Sequence, residues 1–100
     1  PLPVPERQFP LVLADGQTIH LDIAWPDVRL AVEPGASWWH GGDAGQRIDQ
    51  ERDRACAEAG WVTLRFDETL RNDPERAADQ IQRVHAHRAR ELRNVRESDR

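Results

Sequence analysis

The sequence contains no lysine, a single cysteine and no long apolar run, and each absence excludes a class of protein. All 14 basic residues are arginine, so a mechanism that needs a catalytic lysine is excluded within this chain. The lone Cys56 excludes an internal disulfide and a zinc site built from several cysteines. Because no stretch approaches about 18 apolar residues, we expect no membrane span. This cysteine usage favours an intracellular, cytoplasmic protein.

Composition divides the 100 residues, the length of one domain, into three parts. Residues 1–8 are proline-rich and should be extended. Residues 9–84 carry the predicted domain, and residues 85–100 form a basic helix end that we expect to fray. The chain starts without a signal-peptide pattern and without methionine, so we expect a processed chain or a fragment.

The charge is uneven along the chain, whose net charge is −4. The acidic excess argues against a general polyanion binder. Residues 83–100, however, carry six arginines against three acidic residues. A solvated helix end and a contact with nucleic acid account for this excess equally well.

Hydrophobic periodicity predicts six elements in the order β-β-β-α-β-α. Turn signals at Asp15-Gly16 and Pro26-Asp27 separate three short strands. Pro10 indicates that the first strand lies at a sheet edge. In the second strand, four apolar residues alternate and should share one face: Ile19, Leu21, Ile23 and Trp25.

The first helix is predicted to begin with Asp43 as its N-cap and to end before Gly60. Its apolar stripe consists of Ile48, Ala55, Cys56 and Ala59. Residues 61–66 have the pattern of a buried strand, and Asp73-Pro74 should start the last helix. Three meandering strands, followed by one that a helix returns in parallel, predict an α/β fold: a mixed four-stranded sheet with helices packed on it.

Two carboxylates face each other in the predicted second hairpin. Whether its loop has two residues or four, Asp22 falls directly opposite Glu33, with Cβ atoms roughly 5 Å apart. Such a pair repels unless a cation or a proton lies between the two groups, and two carboxylate oxygens are what a Mg²⁺ site takes from protein. The alternatives are a solvated pair, or a pair that Arg29 or Arg65 neutralises.

A glycine-rich segment, WWHGG, adds an aromatic pair and a histidine after the third strand. Near a metal-bound phosphate, His40 could act as a general base or protonate a leaving oxygen; on its own it is polar surface. One of Trp38 and Trp39 is expected in the core, and an exposed one could stack on bases or wedge between them. A zinc site made of His20, His40 and Cys56 would need three distant elements to converge.

Together these motifs resemble the very short patch repair endonucleases and the broader endonuclease-like family related to them, within the PD-(D/E)xK superfamily. The resemblance runs from about Gln8 to Val84. Its motifs, in chain order, are LDIAWP around Asp22, AVE ending at Glu33, WHG at Trp39 to Gly41, DxxRD at Asp49 to Asp53, GWVxLRF at Gly60 to Phe66, and Asp67-Glu68. Each motif is weak alone, and their order makes the resemblance specific.

The resemblance implies a restriction-endonuclease-like core that hydrolyses DNA phosphodiesters with Mg²⁺ or Mn²⁺, in DNA repair or in defence. Asp22 and Glu33 would hold the metal, and His40 would complete the catalytic set. The residues predicted to contact DNA are Trp38, Trp39, Arg52 and Arg65.

Gly35 departs from the pattern of the superfamily, which places a lysine two residues after the acid. A glycine there offers no side chain to bind metal or move a proton. This favours either a rewired site, in which His40 moves the proton, or a catalytically degenerate module that binds DNA or protein without cleavage. Asp49 is expected to form an ion pair with Arg52, three residues further along the helix.

Overall fold

The computed structural model describes residues 2–34, 42–66 and 72–98 of the chain. Its elements are β1 (Glu6–Val12), β2 (Thr18–Trp25), β3 (Leu30–Pro34), α1 (Gly42–Glu58), β4 (Val62–Phe66) and α2 (Pro74–Ser98). The order is the one that the periodicity predicts, and the fold is α/β. Within the described ranges, neither helix combines the length and apolar character that crossing a bilayer requires.

The four strands form one mixed sheet in the order β1-β2-β3-β4. The first three are antiparallel, and β4 lies parallel to β3, which confirms the predicted sheet. The first hairpin closes where Gly16, with φ of 88°, takes a conformation that suits glycine. Pro10 lies in β1, an edge strand, as predicted. An edge suits proline because its nitrogen has no hydrogen to donate.

Helix α1 is followed by a glycine in a backbone conformation that favours this residue. Gly60 has φ of 86°, and its N–H donates to the carbonyl of Ala57 at 2.9 Å. A Cβ at this position would lie 2.9 Å from Nη1 of Arg29. The predicted C-terminal glycine is therefore confirmed. At the other end, the helix begins at Gly42, so Asp43 lies inside the first turn and not at the N-cap as predicted.

Two hydrophobic clusters lie on opposite faces of the sheet, each under one helix. Ala77 and Ile81 of α2 pack against a cluster that contains Leu30 and Val32. Cys56 of α1 belongs to the other cluster, with the intervening Ala31. Successive residues of β3 therefore point to opposite helices, as a pleated strand requires, and both faces of the sheet are covered.

The alternation predicted for β2 is wrong in its first half. Ile23 and Trp25 pack against the cluster under α2, but Ile19 and Leu21 pack in the cluster under α1. The sheet is distorted between these two halves: the register of β1 and β2 puts Gln8 at this level, where its φ is 51°. A left-handed residue interrupts the pleat, so the inward-facing positions change there.

The apolar stripe predicted for α1 also needs correction. Ile48 is 64% exposed, while Cys56 is buried and Ala59 packs beside it. The helix is rotated so that Asp49, Arg52 and Asp53 face the sheet in place of Ile48. This rotation decides which groups meet the predicted carboxylate site.

Helix α2 begins with the predicted cap, since the N–H of Arg76 donates to Oδ1 of Asp73 at 3.1 Å. It is helical through Ser98 and so includes most of the segment 85–100. One inward-facing arginine holds this segment to the domain. Arg88 donates through Nε to the carbonyl of Val28 at 3.1 Å and through Nη2 to that of Gly60 at 3.0 Å.

Candidate functional site

The register of the second hairpin is the one predicted. Ile23 pairs with Val32 and Trp25 with Leu30 around a four-residue turn, 26–29. The paired residues end at Ile23 and Val32; Asp22 and Glu33 are the next residues beyond this last pair, one on each strand. The two carboxyl-bearing residues therefore lie on neighbouring strands, just past the end of the pairing.

Each of these carboxylates is held by a different group of the protein. Oδ1 of Asp22 accepts a hydrogen bond from Nε2 of Gln8 at 3.0 Å. Oε1 of Glu33 accepts one from Nη2 of Arg52 at 3.1 Å. Sequence reasoning missed Gln8 as a partner of Asp22, although the register of β1 and β2 places the two residues opposite each other.

The Glu33–Arg52 pair connects the sheet to helix α1. Glu33 is only 5% exposed and is the one charged residue that is buried in the described part of the chain. The same Nη2 of Arg52 also donates to the backbone carbonyl of His20, at 2.6 Å. A buried carboxylate needs such a partner because its charge is costly away from water. Arg52 thus neutralises the charge of Glu33. The sequence had suggested Arg29 or Arg65 for this role.

Arg65 is the second cation of the site, and it reaches in the opposite direction, from β4 to α1. Its Nε lies 2.9 and 3.0 Å from the two carboxylate oxygens of Asp53, and its Nη2 lies 2.8 Å from Oδ1. Nη1 is 3.4 Å from Oδ1 of Asp49. The predicted Asp49–Arg52 pair is therefore wrong: in the described structure Asp49 pairs with Arg65.

Electrostatics favours the charged form of Arg65. Burial by itself lowers the pKa of this guanidinium, but the hydrogen bond and charge of Asp53, with the charges of Asp49 and Glu33, raise the pKa overall. Arg65 also pairs in register with Glu33 across β3 and β4. We call these five side chains the charge network: Glu33, Asp49, Arg52, Asp53 and Arg65.

The described residues do not fit a divalent metal as they are arranged. Glu33 and Asp22 both have protein partners already, and a cation at Glu33 would have to displace Arg52. Among the described side chains, no three His, Cys, Asp or Glu residues come together in a way that could hold a metal ion. This also leaves the zinc hypothesis without support from His20 and Cys56.

Several predicted site residues lie outside the described ranges: Gly35, Trp38, Trp39 and His40. The two arginines predicted to contact DNA, Arg52 and Arg65, are described, and both are half-buried and engaged with carboxylates. In this structure the guanidinium groups of Arg52 and Arg65 therefore bind carboxylates of the protein itself, and DNA would have to compete with those carboxylates.

Cys56 lies between helix α1 and the sheet, in the cluster described above. It is 1% exposed and is a free thiol. Burial raises its pKa, more than Thr63 and Arg52 lower it. Only the thiolate reacts with electrophiles. At about pH 8, we expect the native thiol to react with a disulfide reagent more slowly than the unfolded chain by on the order of a hundredfold or more.

The matched control for this measurement is the same protein in denaturant, where the thiol has its ordinary pKa and full access. Equal rates in native and denatured protein would contradict the buried position of Cys56. The measurement reports on whether α1 stays closed over the sheet.

Two relatives of the chain are known from Mycobacterium tuberculosis. The uncharacterised proteins MT2308 and Rv2248 are each 41% identical to it over 91 residues. The aligned part is 89% of this chain and 33% of each relative. The chain thus spans about a third of the length of the curated relatives it matches. No protein-family model matches it, and no solved structure does.

Proposed function

We propose that this chain is a module of the restriction-endonuclease-like class that binds DNA without cleaving it. The observation that carries the proposal is the ion pair between Arg52 and the buried Glu33. In the endonucleases that the sequence resembles, the acid at this position is implied to hold a metal ion. Here an arginine of the same chain already compensates its charge.

The contacts of Arg52 make the Glu33–Arg52 ion pair difficult to displace. The same nitrogen of Arg52 donates both to Glu33 and to the backbone carbonyl of His20, so the guanidinium is held at two points. If a divalent ion took its place, Arg52 would be driven away by charge repulsion and would also lose the His20 carbonyl. Gly35 adds no side chain that could help to hold the ion.

The DNA part of the proposal rests on the resemblance and on the exclusive use of arginine. Arginine binds phosphate through two parallel hydrogen bonds, which lysine cannot do, and is the preferred residue for nucleic-acid backbones. All 14 basic residues of the chain are of this type.

The test combines binding and cleavage on the same protein. We expect a labelled duplex to bind at low salt with an affinity that falls as salt rises. We expect supercoiled plasmid to stay intact with Mg²⁺ or Mn²⁺. Asp22→Ala should change neither result, and Glu58→Ala, at an exposed position of α1, is the control for loss of one carboxylate.

The register of the second hairpin favours a second candidate, a metal-dependent DNA endonuclease or nickase. Asp22 and Glu33 directly follow the last pair of β2 and β3, Ile23 with Val32, which is the neighbouring placement that the resemblance implies for a Mg²⁺ or Mn²⁺ site, with His40 as the group that moves a proton. This function requires Arg52 to leave Glu33. Nicking that Asp22→Ala abolishes and Glu58→Ala preserves would establish it and overturn binding without cleavage. Absence of DNA binding even at low salt would overturn both and favour a protein partner.

A further inference from the structure

Helix α2 as a whole carries six arginines and four acidic residues, a net charge of +2, and the positive charge is concentrated in its central residues. Residues 80–96 contain five arginines and one glutamate, a net charge of +4. Since the whole chain has a net charge of −4, the remaining residues carry −8. A field of this kind attracts a polyanion to one side of the protein and repels it from the others.

The buried residues of α2 show which face of the helix points toward the sheet. Ala77 and Ile81 are buried, and Leu92 packs against the same cluster. Arg88 is the one arginine of residues 80–96 that faces inward; it binds two backbone carbonyls and pairs with Glu91 at 2.8 Å. The hydrogen bond from Arg88 lowers the pKa of the Glu91 carboxyl, and His87 contributes to the same effect. Glu91 is thus occupied by its own neighbours.

Three arginines, Arg83, Arg90 and Arg93, are exposed along α2. Arg93 stands at the border of this exposed side, since it also lines a groove with Val28 and Leu92. Helix geometry places Arg83 and Arg90 on the same side about 10 Å apart, and the row spans about 15 Å along the axis. In the described structure none of the three forms an ion pair, including with Asp79 and Glu97, which bound the row at its two ends. We call these three side chains the outer arginine row.

We infer that the outer arginine row binds the phosphate backbone of DNA. The inference rests on the proposed function and adds the surface by which the module holds DNA, on the helix and away from the charge network. About four phosphates of one strand fall within the length of the row.

A nucleic-acid partner fits this row better than an acidic protein does. The other exposed positions of residues 82–94 carry Gln82, Ala86, His87 and Asn94, so this stretch exposes no large apolar side chain of the kind that protein interfaces bury. Contacts with a phosphate backbone need no such side chain, because they come from charge and hydrogen bonds alone.

The experiment compares two triple variants that remove the same charge. One is Arg83→Gln, Arg90→Gln and Arg93→Gln; the control is Arg7→Gln, Arg47→Gln and Arg54→Gln, at exposed positions of β1 and α1. Affinity for a fluorescent duplex is measured by anisotropy over a series of salt concentrations. For the outer row variant, we expect the slope of log K against log salt to become shallower by about 2.7, or about 0.9 for each lost contact. The control should keep a slope close to that of the wild type.

The possible results separate the inference from the proposed function. If the wild type binds DNA and both variants bind it with the wild-type slope, the inference is wrong and the module holds DNA elsewhere. If the wild type does not bind DNA at low salt, the proposed function fails and the inference fails with it. If polyglutamate competes with the duplex on an equal basis for the row, the surface recognises acidic protein, which also overturns the inference. Circular dichroism of both variants verifies that the helices are intact.

Discussion

Replacing Arg52 with alanine should lower the free energy of unfolding by about 3 kcal/mol, near the lower end for a buried ion pair that loses one partner. The lower end is appropriate because Arg52 is 29% exposed while Glu33 is 5% exposed. The substitution leaves the Glu33 carboxylate buried without a cation and leaves the His20 carbonyl without its donor. Denaturant unfolding followed by tryptophan fluorescence measures the change.

The control for this prediction lies on the same helix. Arg54→Ala removes an exposed arginine two residues away and should change stability by no more than about 0.5 kcal/mol. Replacing Glu33 and Arg52 together with leucine should cost less than Arg52→Ala, because no buried charge remains. A loss below about 1 kcal/mol for Arg52→Ala would mean that water or another group compensates Glu33.

Replacing Arg88 with alanine should have the second largest effect. We expect it to lower the free energy of unfolding by about 2 to 3 kcal/mol. Arg88 bonds the carbonyls of Val28 and Gly60, and a hydrogen bond that involves a charged group is worth about 1.5 to 3 kcal/mol. These two carbonyls belong to the β2–β3 turn and to the end of α1. The substitution should therefore loosen the second half of α2 from both.

Thermal and denaturant unfolding measure the loss, and the far-ultraviolet circular dichroism shows whether helix is lost before the global transition. Arg90→Ala, two residues along on the outer face, is the matched control and should leave stability nearly unchanged. If the two variants were equally stable, α2 would be held by its apolar residues alone.

The sequence predicted the fold well where the signals are local. Asp15-Gly16 predicted the first hairpin turn and Pro26-Asp27 the second. Gly60 predicted the end of α1. These residues restrict the backbone through their own φ preferences, whatever the rest of the chain does. The parallel return of β4 then follows from the helix between the strands.

The candidate site was predictable only in part. The pairing of Ile23 with Val32, next to Asp22 and Glu33, followed from the turn, because the register of a hairpin is fixed by its loop. The partner of Glu33 could not be predicted from the turn, because it depends on how α1 is rotated about its axis. The sequence placed Ile48 on the inner face, and the structure places Arg52 and Asp53 there. The left-handed conformation of Gln8 also has no signature in the sequence, since glutamine rarely adopts it.

The two edges of the sheet differ in how they would receive another strand. In β1, the outer edge carries Pro10, which has no N–H to offer and so interrupts any row of hydrogen bonds. The β4 segment, VTLRF, contains no proline or glycine, and in the described part of the chain no strand pairs with its outer side. Among the described residues, the β1 edge thus offers an interrupted row of backbone groups and the β4 edge an uninterrupted one. A strand from elsewhere in a longer protein, or from a second copy, would find its backbone partners along β4.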